Sequence, residues 1–258
     1  MHRTGAVAVV RIVSRHAACS PSSAAMWLKC PASVTKTEDI VRPSSKYARE
    51  GTAAHAVAEM ILGGDVFLPD KVQVEGDDVI VSPGMCRALN PYVSYVQGLR
   101  ALPGARIFLE RRLVVPGTVG MVWGTLDCGV HTGRELFVAD LKFGKGVAVD
   151  PDGPQLKFYA LALAAHVREI RALARVTLTI CQPRIEGPPL RSYTTTLGEL
   201  GDWRNDEVYP AIMKIKHGDR TENAGSHCRW CVRKTECKAF ASKHQGHAAA
   251  AFDDGETV

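Results

Sequence analysis

The run Leu136-Phe137-Val138-Ala139-Asp140-Leu141-Lys142 is apolar enough to be a buried strand, yet it ends in two opposite charges one residue apart. Side chains alternate across a strand, so Asp140 and Lys142 share a face and Leu141 joins Ala139 and Phe137 on the other. A buried, unpaired carboxylate is costly, so both charges need partners. A strand-end salt bridge is the plain reading. A second acid complicates it. Asp127 sits inside the preceding apolar run, Met121 to His131. The two runs are joined at Thr132-Gly133, short enough for a hairpin, and Asp127 and Asp140 are nearly equidistant from that turn. Antiparallel pairing then sets the carboxylates against each other, where they repel unless a divalent cation lies between them.

A second group of chemical interest is Cys228, Cys231 and Cys237, spaced C-x2-C-x5-C. Three thiols so close together in a chain without a secretory signal point to a metal site in a reducing compartment rather than to disulfides. A tetrahedral site or a cubane cluster needs a fourth ligand. Cys30 is the chosen candidate, with Cys19 and His227 as rivals. Cys19, Cys86, Cys128 and Cys181 read as small buried hydrophobes. Arg229, Trp230, Arg233 and Lys234 surround the thiols, and basic residues with an aromatic among them suit a single-stranded nucleic-acid path. A solvated basic surface explains any one of them equally well.

These groups must be held by regular elements. A short helix is expected within 20–33, with a serine as N-cap, and an Ala-rich helix over 46–62 that stops at Gly63-Gly64. Another follows Pro83, over 84–101. The periodicity then changes to two, predicting strands over 106–115, 121–131 and 135–143. After Pro154 an amphipathic helix is expected over 155–170. A strand over 175–183 follows, then a helix over 199–217. Helices before a meander, with one helix crossing over to a fourth strand, predict an α/β or α+β sheet core. Residues 225–238 show no periodicity and need another organiser.

The chain has 258 residues, 46% hydrophobic, 7% aromatic and 23% charged, so a sizeable core is expected. No run reaches the roughly 18 apolar residues of a membrane helix. The net charge of +5 hints only mildly at a polyanionic partner. No acid precedes Glu38. Residues 1–15 are therefore expected to be a flexible basic leader, 16–240 one domain, and 241–258 a disordered tail. A cytoplasmic protein is expected.

The pattern Asp127, turn, Asp140-Leu141-Lys142 resembles the PD-(D/E)XK nuclease superfamily. Gln155 and Tyr159, four apart on one helical face, resemble the Q-x-x-x-Y element of its RecB-like branch. Gly51 and His55 resemble that branch's Gly-x-x-x-His element. One N-terminal and three C-terminal cysteines resemble its iron–sulfur members, which include CRISPR-associated exonucleases. The segments SPSSAAMWLKCPAS, EGTAAH, GTLD, DLKFGKG and PQLKFYAL in this order resemble uncharacterised phage and prophage proteins, over residues 16 to 240.

The resemblance implies a restriction-endonuclease-like core: a central mixed sheet flanked by helices, its terminal segments tied together by the cysteines. It implies Mg²⁺ or Mn²⁺ held by Asp127, Asp140, the Leu141 carbonyl and His55, a nitrogen ligand favouring Mn²⁺. Such an ion supplies a hydroxide near neutral pH and stabilises the leaving oxygen. Lys142 would orient or help deprotonate the attacking water, while Gln155 and Tyr159 line the DNA path. Cys30, Cys228, Cys231 and Cys237 would hold a 4Fe-4S cluster, with Zn²⁺ as the alternative. Glu110 either supports this site or pairs with Arg111 or Arg112, the second being preferred. The expected activity is DNA cleavage, as an exonuclease on single-stranded or resected ends, with phage recombination proteins as partners. The alternative is a catalytically inactive DNA-binding module stabilised by zinc or a cluster.

Overall fold

The structure, a computed structural model, describes residues 7–10, 17–37, 40, 44–168 and 175–243. It is a mixed α+β fold built on a five-stranded sheet: β4 (Arg106–Val114), β5 (Trp123–His131), β6 (Glu135–Leu141), β7 (Arg175–Cys181) and β8 (Leu190–Thr196), in that spatial order. A smaller sheet holds β1 (Val7–Val10), β2 (Lys71–Val74) and β3 (Asp77–Ile80). The helices are α1 (Ala24–Trp27), α2 (Ala32–Thr35), α3 (Lys46–Gly63), α4 (Pro83–Arg100), α5 (Pro154–Val167), α6 (Leu197–Trp203) and α7 (Tyr209–Lys216).

All neighbours in the large sheet are antiparallel except β6 and β7, which the crossover helix α5 makes parallel. α5 lies on one face, above Leu126, Leu136, Val138, Val176, Leu178 and Ile180. It sits close: a Cβ on Gly129 would come within 2.4 Å of the Leu163 side chain. α3, α4 and the small sheet cover the other face, packed on Cys128, Val130, Ala139, Leu141, Phe143 and Cys181. Ser45 and Ser82 cap α3 and α4, each accepting a backbone N–H three residues on. α3 stops at Gly64 in the left-handed region.

Several elements differ from expectation. The leader contains β1, which pairs parallel with β2; the rest of 1–15 lies outside the described residues, as does 244–258 of the tail. The β2–β3 hairpin and β8 were not foreseen. β8 alternates polar and apolar poorly, Leu-Arg-Ser-Tyr-Thr-Thr-Thr, because it is an edge strand with only β7 beside it. The expected helix over 199–217 divides into α6, a π-turn at Arg204–Val208, and α7. Pro210, at the start of α7, has no N–H to continue the preceding ladder. No helix among the described residues is long and apolar enough to cross a membrane.

Candidate metal centre at the sheet end

Residues facing each other in the β5–β6 ladder sum to 267, from His131↔Leu136 to Cys128↔Ala139. One further step in that register sets Asp127 opposite Asp140. The hairpin that fixes it is closed by Thr132 N–H to Glu135 O, with Gly133 at φ +84°. The charged pair the sequence predicted is thus placed by strand register alone.

Asp127 and Asp140 make different contacts. Asp127 Oδ2 accepts the Leu141 backbone N–H at 2.8 Å and lies 3.5 Å from His55 Nδ1. Asp140 Oδ1 accepts from Gln155 Nε2 at 2.8 Å, while Lys142 Nζ lies 2.7 Å from Asp140 Oδ2 and donates to Gln155 Oε1 at 3.1 Å. That ammonium is near enough for an ion pair but off the hydrogen-bonding direction, leaving the buried Asp140 Oδ2 without a hydrogen bond. The first turn of α5 therefore closes a three-member ring, Asp140–Gln155–Lys142. Tyr159, one turn further on, is buried against the core, and a Cβ on Gly124 would lie 2.9 Å from its hydroxyl. Tyr159 is both core filling and a wall of the site.

Glu110 departs from the preferred expectation. Its carboxylate lies 3.8 Å from His55 Nδ1, and ligand atoms of His55, Glu110 and Asp127 all fall within 4.8 Å of one another. Arg112 instead lies over the Trp123 ring, 3.8 Å from its centroid. The reason is a change of phase in two strands. Ile107 and Leu109 pack on the α3–α4 face, whereas Leu113 and Val115 pack on the α5 face. Likewise Cys128 and Val130 face α3–α4 while Leu126 faces α5. Glu110, at φ +43°, is where β4 switches, and Asp127 is where β5 switches. Such strain in a non-glycine residue is characteristic of functional sites. The sequence signal was an acid at the centre of an otherwise strand-like run; the left-handed backbone could not be read from it.

A cavity of about 10 Å³ is lined by His55, Glu59, Tyr92, Glu110 and Asp127, among others. That is room for one water or one small ion. Glu59 and Tyr92 were not foreseen: Glu59 follows His55 by one helical turn, and Tyr92 reaches in from α4. Burial pushes the Asp127 carboxyl up to about 7, with Asp140 and Glu110 adding to the rise against the opposing pull of His55. For His55, burial acts downward, but Asp127 and Glu110 outweigh it and raise the imidazole to about 9. Burial likewise opposes the charge of Lys142, and Asp140 outweighs it, raising the ammonium. Two carboxylates and an imidazole around a cavity of one-ion size, with Asp127 raised toward neutrality, are a donor set suited to a divalent cation. The ion would rest on His55, Glu110 and Asp127. Asp140 and the Leu141 carbonyl, also expected as ligands, adjoin it through the Asp127–Leu141 hydrogen bond, outside the tight group.

The cysteines form a second region. Cys30, Cys231 and Cys237 line one pocket of about 90 Å³; Cys228 is outside its lining, on a single 3₁₀ turn, Ser226–Trp230. The N- and C-terminal segments meet here. Ala32 N–H donates to Thr221 O (3.3 Å), Asn223 Nδ2 donates to Lys29 O (2.8 Å), and Lys36 pairs with Glu222. Cys30 Sγ donates a long hydrogen bond to Thr221 O, at 3.8 Å. Arg229, Trp230, Arg233 and Lys234 are exposed on this segment, not on the elements that hold the carboxylates. Arg229 stacks toward Trp230, 5.2 Å from its ring centroid, and Arg233 is 3.8 Å from Glu236. Of the remaining cysteines, Cys19, Cys128 and Cys181 are buried, which pushes each thiol up to about 12, while Cys86 is only half-buried.

A solved structure described as "Crystal structure of SSO0001" is similar to 84% of this chain and 96% of its own, at 12% identity and a TM-score of 0.33. A likeness that loose carries no conclusion for this chain. The family model described as "Protein of unknown function (DUF2800)" matches residues 16–258, and the chain belongs to that family.

Proposed function

We propose that this protein is a Mg²⁺- or Mn²⁺-dependent DNA nuclease with a restriction-endonuclease-like core of the PD-(D/E)XK kind. The observation that carries the reading is the buried Asp127–Asp140 juxtaposition, with Lys142 beside one carboxylate and His55 beside the other. Opposite charges assembled only for stability would pair off; here Glu110, Asp127 and Asp140 outnumber Lys142 and His55, and Glu110 and Asp127 line a one-ion cavity with His55 and Glu59.

A divalent ion bound there supplies a hydroxide nucleophile and screens the charge that builds on the leaving oxygen. His55, Glu110 and Asp127 would hold it, with Asp140 and the Leu141 carbonyl on the far side. Gln155 fixes Asp140 and Lys142 relative to each other, so the ammonium stays aimed at the phosphate-bearing side. Lys142 orients the attacking water and offsets phosphate charge. Tyr159, behind Gln155, keeps that side chain from swinging into the core. Single-stranded or resected DNA ends are the proposed substrate, in phage-type recombination and in the cytoplasm.

In the cysteine region we propose a 4Fe-4S cluster on Cys30, Cys228, Cys231 and Cys237, or Zn²⁺ in its place. Three of the four thiols already share a pocket, and the segments that bear them have little other structure. Brown absorbance near about 400 nm in anaerobically purified protein identifies thiolate-bound iron–sulfur; a colourless, zinc-loaded protein replaces it.

A second reading is a non-enzymatic DNA-binding module. It is favoured by the Asp140–Gln155–Lys142 ring, which satisfies the lysine internally. The deciding experiment is cleavage of labelled DNA with Mg²⁺ or Mn²⁺ by wild type and Asp140→Asn. Cleavage lost in the variant supports the nuclease. DNA binding without cleavage in either protein supports the module.

A further inference from the structure

The connection between β7 and β8, residues 182–189, stands at the carboxyl ends of the two parallel strands. Open sheets with such crossovers place ligands there. The Lys142 backbone N–H donates to Cys181 O at 2.7 Å, so this connection starts beside Lys142. Its base is rigid. Gln182 is buried, donates to Val147 O at 3.0 Å, and accepts from Val149 N–H at 3.0 Å and from Arg191 Nη2 at 2.7 Å.

Two residues on, Arg184 bridges the segment that follows Lys142 to α3. Its guanidinium lies over the Phe143 ring, 4.5 Å from the centroid. Nη1 is 2.9 Å from Glu50 Oε1 on α3, with side-chain exposures of 16% and 33%. The pair thus links the segment just past Asp140 and Lys142 to the helix that carries His55. Glu50 is followed by Gly51, in the interior of α3. A glycine there costs helix stability, and a Cβ would meet nothing within 4 Å. Packing therefore does not call for a glycine; open space beside Glu50 is what it leaves.

We infer that Arg184 contacts a phosphate of the nucleic-acid substrate, and that Glu50 holds its guanidinium until that phosphate displaces it. The inference rests on the DNA-cleaving reading above. Both side chains keep an edge in solvent, so an incoming phosphate can reach the guanidinium and exchange with the carboxylate. The guanidinium is stacked on Phe143 and presents its N–H edge, the geometry that accepts phosphate with two parallel hydrogen bonds. Glu50 meanwhile keeps an unpaired cation from the mouth of the site.

The test is equilibrium binding of a fluorescein-labelled single-stranded oligonucleotide to the full chain. Ca²⁺ replaces Mg²⁺, and anisotropy is read across a salt series. Arg184→Gln should weaken binding about tenfold and reduce the salt slope by about one. Arg184→Lys keeps the charge without the flat fork and should fall in between; it also decides the matter if the glutamine variant fails to fold. Glu50→Gln should tighten binding several-fold, and the gain should vanish in the double variant. An equal gain with and without Arg184 means Glu50 merely repels DNA, and overturns the inference. So does an unchanged Kd in every variant alongside lowered Tm, which makes the pair a structural brace. If wild type neither binds nor cleaves DNA, the nuclease reading itself falls; wild-type cleavage with Arg184 variants unaltered sinks only the role of Arg184.

Discussion

The carboxylate centre and the cysteine segment are built by opposite means. At the centre, regular elements carry His55 (α3), Glu110 (β4), Asp127 (β5), Asp140 (β6) and Gln155 (α5), with Lys142 one residue past the end of β6. Backbone ladders fix their separation, and hydrogen bonds of 2.8 to 3.1 Å link them before any ion is considered. The cysteine segment has only two short 3₁₀ turns and is held by a few contacts through Thr221, Glu222 and Asn223. Its thiols make weak sulfur hydrogen bonds: Gly225 N–H donates to Cys228 Sγ at 3.4 Å, and Cys30 Sγ donates to Thr221 O at 3.8 Å. A scaffold can order charges cheaply when a packed sheet already fixes the backbone. A segment with little core of its own gains its order from cross-linking.

The contrast is sharpest in what each loss should do. Asp140→Asn should lower DNA cleavage by about a thousandfold, since metal-assisted charge stabilisation is worth several kcal/mol, while Tm stays near wild type. A variant that cleaves normally removes Asp140 from the chemistry. Cys30→Ser should do the reverse: a stability loss of about 2–4 kcal/mol in urea unfolding, as for a lost long-loop cross-link, with residual folded protein still binding Mn²⁺ at the centre. Unchanged stability would mean the thiols tie nothing together.

Between these extremes, Gly129→Ala presses a methyl against Leu163 and Leu126 and should cost about 1–3 kcal/mol by overpacking. Because α5 also carries Gln155, cleavage by the folded fraction should fall with it. A loss of stability with cleavage intact would show that the helix can shift without disturbing Gln155.

The smallest expected effect is on pH. His55, raised to about 9, is mostly protonated at pH 7 to 8, and Asp127, raised to about 7, is partly so. A cation must displace these protons, so affinity should rise with pH below each value and level off above it, about tenfold per unit between 7 and 9 where one proton leaves. Mn²⁺ titrations at several pH values check this, and a flat profile would remove His55 from the ligand set. The cysteine segment should show no such slope in that range when its cluster is already bound.

Much of the centre was legible because its rules are local. Period-two alternation placed Asp140 and Lys142 on one face, and equal spacing about Thr132-Gly133 put Asp127 opposite Asp140. The i, i+4 spacing joined Gln155 to Tyr159. Glu59 and Tyr92 were not legible, and Glu110 was legible only as the less favoured of two alternatives, since each depends on which element packs against which. The unforeseen β8 and β3 are edge strands, which need little hydrophobic patterning, and β2, central in the small sheet, is only four residues long.

The amino-acid pattern alone located β4 to β7 and the helices α3, α4 and α5, because periodicity and capping act over a few residues. It also determined which charges would be buried, since an acid inside an apolar strand has nowhere else to go. Only the tertiary structure decided that β4 and β5 change face at Glu110 and Asp127, that α3 brings His55 and Glu59 to that point, and that Arg184 meets Glu50 across the opening. Those facts arise from contacts between residues far apart in the chain, whose geometry no local pattern encodes.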